Sequence, residues 1–307
     1  MSTDPQSQKE QSQKELTGFV YGFLGVLVFS LTLPATRVAV SGFDPVFVGL
    51  GRAIVAAGLS LVLLVATRQT IPPVRFLPKF CIVAAGVVIG FPLLSAIAMR
   101  DAPASYGAVI TGLLPLSTAL GGVWRAGERP SLPFWLFAGL GSALVVAFAL
   151  LSGSGSIQLA DLALLGAVAA AGLGYAEGAV LSRTFGSWQV ICWSLILSTP
   201  VLLPIVLQYA PSNFASISFS AVLGFLYVSI FSMFLGFFAW YRGLSLGGVA
   251  RVGQIQLLQP FLTILASAIL LGEHLTITTL GFAAGVIFCV ALGKRTQITA
   301  TEKPTSS

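Results

Sequence analysis

The sequence predicts an all-α integral membrane protein, with ten transmembrane helices arranged as two inverted five-helix repeats. Three observations lead there. Only 8% of the 307 residues are charged and 56% are apolar, with a mean hydropathy of +0.94, whereas a soluble domain carries about 25% charged residues. The apolar residues form continuous runs of about 20, the length that crosses a bilayer as a helix, and not the alternating segments of about ten that build a barrel. One pattern also occurs twice. Pro115 is followed thirteen residues later by Glu128, in Pro115…Gly127-Glu128, and Pro260 thirteen residues later by Glu273, in Pro260…Gly272-Glu273. The two copies lie five apolar runs apart. A duplicated unit with an odd number of spans must enter the membrane from opposite sides, and the interface of such halves is where a substrate site is expected.

In chain order, residues 1–16 are rich in Gln, Ser and Lys and read as a disordered tail. The first repeat, 17–152, holds apolar runs at 18–37, 46–66, 80–99, 104–124 and 133–152. The first run has no small-residue cleavage pattern and is kept as a helix, not a signal peptide. The second repeat, 153–293, holds runs at 160–181, 189–209, 219–241, 249–271 and 275–293, and 294–307 reads as a second disordered tail. The connections are short, so successive helices must pack as neighbours. Glycines such as Gly86, Gly121, Gly172 and Gly174 fall within the runs, where close backbone packing depends on small residues. Pro34, Pro92, Pro115, Pro200, Pro204 and Pro260 also fall inside runs, and each frees a backbone carbonyl and permits a kink. Pro115 and Pro260 are hinge candidates for the fourth and ninth helices.

The net charge of +6 is explained by topology and not by nucleic acid. With the N-terminus inside, Lys9, Lys14, Arg68, Arg75, Lys79, Arg125, Arg129, Arg183, Arg242, Lys294, Arg295 and Lys303 all fall on the cytoplasmic side, and only Arg37 and Arg100 on outer loops. This asymmetry places both termini in the cytoplasm and requires an even number of spans. It makes the chain a multi-pass protein of a plasma (bacterial inner) membrane, with Glu128 inside and Glu273 outside.

Residues 98–128 align with 243–273 without a gap, so Tyr106 falls on Arg251 and Leu114-Pro115 on Gln259-Pro260. Ionisable groups inside a bilayer are costly and are functional candidates by default. Glu177, in Gly174-Tyr175-Ala176-Glu177-Gly178, has no acidic neighbour and no basic residue before Arg183. It could take up a proton, hold a substrate ammonium group, or pair with an arginine. Arg52, in the second span, reads as a structural partner for a glutamate or a helix-end carbonyl. Arg251, Gln254, Gln256 and Gln259 crowd the start of the ninth span. On an α-helical wheel residues 251, 254/255 and 258/259 share a face, with Gln256 about 140° from Arg251. They read as cavity lining or as interhelical hydrogen bonding.

Glu128 and Glu273 begin the loops before the fifth and tenth helices, where an acid favours a helix N-terminus, and read as structural. His274, the only histidine, reads as an interfacial residue. Tyr106, Tyr175, Trp193 and Tyr227 are deep enough to wall a substrate site, while Trp240, Tyr241 and the other aromatics near span ends read as interface belts. Cys81, Cys192 and Cys289 have no metal-site spacing and read as packing residues. No phosphate loop, metal motif or nucleophile elbow is present. No enzyme activity, cofactor or metal is therefore expected.

The two five-helix halves, the paired Leu114-Pro115…Gly127-Glu128 and Gln259-Pro260…Gly272-Glu273 segments, and Arg52 early in the second span together resemble the drug/metabolite transporter superfamily in its ten-helix EamA-type branch. The likeness covers about 18–293. The chain departs from it at Phe29-Ser30-Leu31, where many members have Trp-Ser or Trp-Gly, and at Trp193, where the first half has Arg52. The resemblance implies two inverted halves around a central cavity lined mainly by helices one, three, four, six, eight and nine. Tyr106, Glu177, Arg251, Gln256 and Gln259 lie on three of those. It implies a secondary transporter exporting small organic metabolites, such as amino acids or drugs, by alternating access, with Glu177 as the proton-coupling candidate. An uncoupled facilitator or channel, or a non-transporting scaffold or sensor, are the alternatives. The expected partners are a small-molecule substrate and the lipid bilayer, with no nucleic acid, in a monomer or homodimer.

Overall fold

The computed structural model describes residues 5–152, 157–294 and 298–300; the side chains of Glu128, Arg251 and Gln254 lie outside the described residues. The first half comprises α1 (Pro5–Ser30), α2 (Thr32–Ala39), α3 (Pro45–Ala66), α4 (Leu77–Val83), α5 (Phe91–Asp101), α6 (Ala104–Thr111), α7 (Leu114–Ala126) and α8 (Leu132–Ser152). The second comprises α9 (Leu159–Phe185), α10 (Ser187–Gln208), α11 (Phe219–Leu226), α12 (Gly236–Gly247), α13 (Val249–Gly253), α14 (Gln259–Leu271) and α15 (Ile277–Lys294). A three-residue antiparallel pair joins β1 (Glu128–Pro130) to β2 (Ile298–Ala300). α1 begins at Pro5, within the segment expected as a disordered tail. Its Gln, Lys and Glu residues are good helix formers, and the apolar run behind them supplies the nucleus.

Among the described residues, seven helical segments are long and apolar enough to cross a bilayer: Gln13–Ala39, Pro45–Ala66, Val74–Asp101, Ala104–Arg125, Leu159–Phe185, Ser187–Gln208 and Phe219–Gly247. Three shorter apolar stretches, Trp135–Phe148, Ile255–Leu271 and Ile277–Cys289, occupy the remaining expected positions. In the ninth expected span, residues 254–258 are wound as a 3-10 turn between α13 and α14.

Most of the irregularities repeat between the halves, and the helix breaks have local causes. The fourth span breaks between α6 and α7, and the ninth between α13 and α14. Pro115 and Pro260 sit in the first turn of the helix that follows each break. There the missing N–H costs nothing, and the ring excludes a continuous helix upstream. Those helices end at Gly127 (φ 71°) and Gly272 (φ 65°), left-handed caps that glycine adopts without a Cβ clash. The recurrent Gly-Glu is therefore a helix stop followed by an acid. A π-helical stretch interrupts the third span at Ala84–Gly90 and the eighth at Tyr227–Leu235. In the first span Pro34 separates α2 from α1, and the Ser30 carbonyl freed by its ring accepts from the Thr263 hydroxyl of the other half at 2.8 Å.

The halves interlock in reciprocal pairs. α1 packs along α12, and α5 along α9; α3 packs on α10, and α8 on α15. Bare backbone makes the closest crossings: a Cβ on Gly243 would come within 2.7 Å of the Gly22 amide nitrogen, and one on Gly121 within 2.5 Å of the Gly172 carbonyl. The outer surface is apolar, with Val62 70% and Ile269 72% exposed, which fits lipid and not water. Trp240 and Tyr241, expected in an interface belt, are 0% exposed. α12 continues to Gly247, six residues past the predicted end of that span, so both rings lie in the interior.

Candidate functional site

A small enclosed cavity lies where the halves meet. α1 and α2 bring Phe29 and Thr32 to it, α3 brings Arg52, α5 brings Phe91 and Pro92, α9 brings Tyr175, and α12 and α14 bring Phe237 and Gln259. The volume open to the centre of a water-sized molecule is about 20 Å³, room for about one water. The second span thus contributes through Arg52, although the resemblance points to helices one, three, four, six, eight and nine.

The walls are aromatic. Phe29 stacks on Tyr175 (centroids 6.4 Å apart, planes 9° apart) and tilts onto Phe237 at 5.1 Å. Trp240 meets Tyr175 edge-on at 5.4 Å. The polar groups are few: the Thr32 and Ser232 hydroxyls share a hydrogen bond of 2.9 Å across the halves, and Gln259 keeps an unpartnered Oε1 among the described residues.

Arg52 is 1% exposed, and its Nε and Nη1 have no partner among the described residues. The structural pairing expected for it is not found there. Its sequence signal was an ionisable side chain inside an apolar span. Phe237 carried no signal among 22 phenylalanines, and Phe29 was marked only as a departure from the resembled family.

The other predicted residues are distributed around the cavity. Glu177 accepts from Arg125 Nε, an ion pair joining α9 to α7, and so reaches across the halves; its other oxygen, Oε1, is unpartnered among the described residues. Tyr106 donates to Asp161 at 2.5 Å, again across the halves, and packs on Phe148. It lies outside the cavity. Asp161 and Glu177 are sixteen residues apart on α9, roughly 24 Å along its axis. Gln256 accepts from Thr118 at 3.1 Å. Residues 254–258 are wound as a 3-10 turn and Gln259 opens α14. Both glutamines are buried.

Glu273 serves a different helix from the one expected. Its two carboxylate oxygens accept from the amides of Ala104 (2.8 Å) and Ser105 (2.9 Å), capping α6 of the first half. Arg251, Gln254 and Glu128 cannot be placed, because their side chains lie outside the described residues. Tyr227 donates to the Val28 carbonyl at 2.9 Å, a further bridge between the halves.

The arrangement is a narrow, aromatic-walled chamber beside a guanidinium whose Nε and Nη1 find no partner among the described residues. Polar contacts bridge the halves on both sides of it: Glu273 on α6 and Tyr106 on Asp161 towards one end, and Arg125 on Glu177 towards the other.

The EamA-like transporter family matches the chain twice, over residues 16–151 and 158–293. An uncharacterized transporter of Bacillus subtilis (strain 168), YdeK, is 49% identical over 282 residues, covering 92% of this chain and 98% of that protein. One solved crystal structure of a protein superposes with a TM-score of 0.66, covering 90% of this chain and 97% of the other at 16% identity, a likeness of fold alone.

Proposed function

Since the chain belongs to the EamA-like transporter family, we propose that it is a secondary transporter exporting small organic metabolites, amino acids or drugs among them, by alternating access. The substrate occupies the central cavity, and the two halves rock about it. The observation that carries this reading is the enclosed cavity between inverted halves, bridged at either end by polar contacts that link one half to the other. Opening one end while the other stays bridged exposes the cavity to one side at a time. The broken fourth and ninth helices, with Pro115 and Pro260 behind the breaks, supply the hinges. The three shorter apolar helices complete ten spans, with both termini in the cytoplasm of a bacterial inner membrane.

Proton coupling through Glu177 requires its carboxylate to leave Arg125 during the cycle. A second reading, uncoupled facilitation by the same motion, is favoured by that ion pair, which engages Glu177 away from the cavity lining.

The test is a metabolite profile of the medium from cells expressing the wild type and Glu177→Gln at equal membrane levels. Accumulation of one compound class outside only with the wild type supports export and a role for Glu177. Equal export by both removes the coupling role and leaves the facilitator. An unchanged medium in both overturns export.

A further inference from the structure

We propose that the central cavity is a site for organic carboxylates with a hydrophobic body, that Arg52 holds the carboxylate, and that organic cations are excluded. This rests on the reading that the cavity is the substrate site, and it narrows that site's chemistry.

The argument starts from the guanidinium. It is 1% exposed inside an apolar helix bundle, and an arginine keeps its charge in proteins. A buried charge persists only when it is paired and hydrogen-bonded. The described acids nearest the halves' interface are engaged elsewhere: Glu177 by Arg125, Asp161 by Tyr106 and the Gln158 amide, and Glu273 by the cap on α6. No acidic residue lines the cavity. Arg52 Nε and Nη1 therefore point to a counter-anion from outside the chain. Nε and Nη1 each belong to a two-donor edge of the guanidinium that Nη2 completes, and either edge can engage a carboxylate with both oxygens.

The remaining lining fixes the rest of the ligand. Phe29, Tyr175 and Phe237 offer faces to an aromatic or branched aliphatic body and repay its removal from water. The unpartnered Gln259 Oε1 accepts from a hydroxyl or amine beside the carboxylate. One cationic group and no acid make the site repulsive to a ligand whose only charge is positive, which is discrimination by an unfavourable contact. The closed chamber has room for about one water, so the organic body enters when the halves separate.

The experiment holds the body constant and changes the head group: 3-phenylpropionate, L-phenylalanine, the neutral 3-phenylpropionamide and the cation phenethylamine, with chloride alone as a fifth condition. The readout is the thermal unfolding midpoint of the purified full-length chain in detergent, for the wild type, Arg52→Lys and Arg52→Gln. The expected result is a rise of at least about 2 °C with the two carboxylates, none with the amide or the amine, a reduced shift in Arg52→Lys and no shift in Arg52→Gln. If Arg52→Gln does not fold, the head-group series on the wild type still decides. Equal shifts with acid and amide, a shift with the amine, no shift with either acid, or a chloride effect to which the acids add nothing would each overturn the proposal. Binding is separate from flux. Acids that bind through Arg52 but never cross a membrane leave this inference standing and remove the transporter reading. Flux of another compound without stabilisation by the acids does the reverse.

Discussion

Replacing Arg125 by methionine removes the partner of a carboxylate whose side chain is 2% exposed, while replacing Glu177 by glutamine leaves a guanidinium that is 27% exposed. The two halves of one ion pair therefore carry unequal penalties. In Arg125→Met the Glu177 charge stays buried with neither oxygen bonded, since Oε1 is already unpartnered; removing one partner of a buried pair costs about 3–5 kcal/mol. In Glu177→Gln the arginine, in the last turn of α7, can extend its stem towards the helix end. The amide still accepts one hydrogen bond, so the loss is about 1–2 kcal/mol. Replacing both residues by methionine removes the charge together with its partner and returns stability to within about 1 kcal/mol of the wild type. Unfolding of the purified chain titrated with dodecyl sulfate in mixed micelles, followed by circular dichroism, gives the three differences. The reasoning fails if Glu177→Gln is as damaging as Arg125→Met, or if the double variant is less stable than the worse single one.

Glu273→Ala loses both bonds to the α6 amides and destabilises by about 1–3 kcal/mol, with Glu273→Gln between it and the wild type; thermal unfolding measures this, and an unchanged Glu273→Ala midpoint contradicts the cap. Gly243→Leu drives α12 away from α1 at the Gly22 crossing and costs at least about 2 kcal/mol. Gly58→Leu, with open space at its Cβ position, serves as the tolerant control, so equal stability of the two variants removes the close-packing account. Gly272→Ala forces a side chain into a left-handed backbone and costs about 1 kcal/mol, a loss that the same unfolding assay resolves.

Much of the fold was legible because its causes are local. A hydropathy window of about twenty residues reports on the solvent around a helix and needs no partner. Pro34, Pro115 and Pro260 lie at breaks in the structure, whereas Pro200 and Pro204 are carried within the continuous α10. The Gly-Glu of 127–128 and 272–273 recurs because a helix stop needs the same backbone angle in both halves. The site was less legible. Gln256 and Gln259 were read together at the start of the ninth span, but Gln259 lines the cavity while Gln256 accepts from Thr118. Trp240 and Tyr241 were read at a helix end that proved to be six residues from the true one.

The sequence by itself determined where the apolar helices lie, that the chain holds two repeats, and where those halves bend and stop. Only the tertiary structure decided which polar groups meet. Glu177 finds Arg125 across 52 positions, and Glu273 finds Ala104 across 169, while Arg52 finds no described acid at all. Helix formation satisfies backbone groups within four residues of each other, so it leaves a trace in the local pattern. The partner of a side chain at the interface depends on how the two halves dock, and that docking is set by close contacts between residues far apart in the chain.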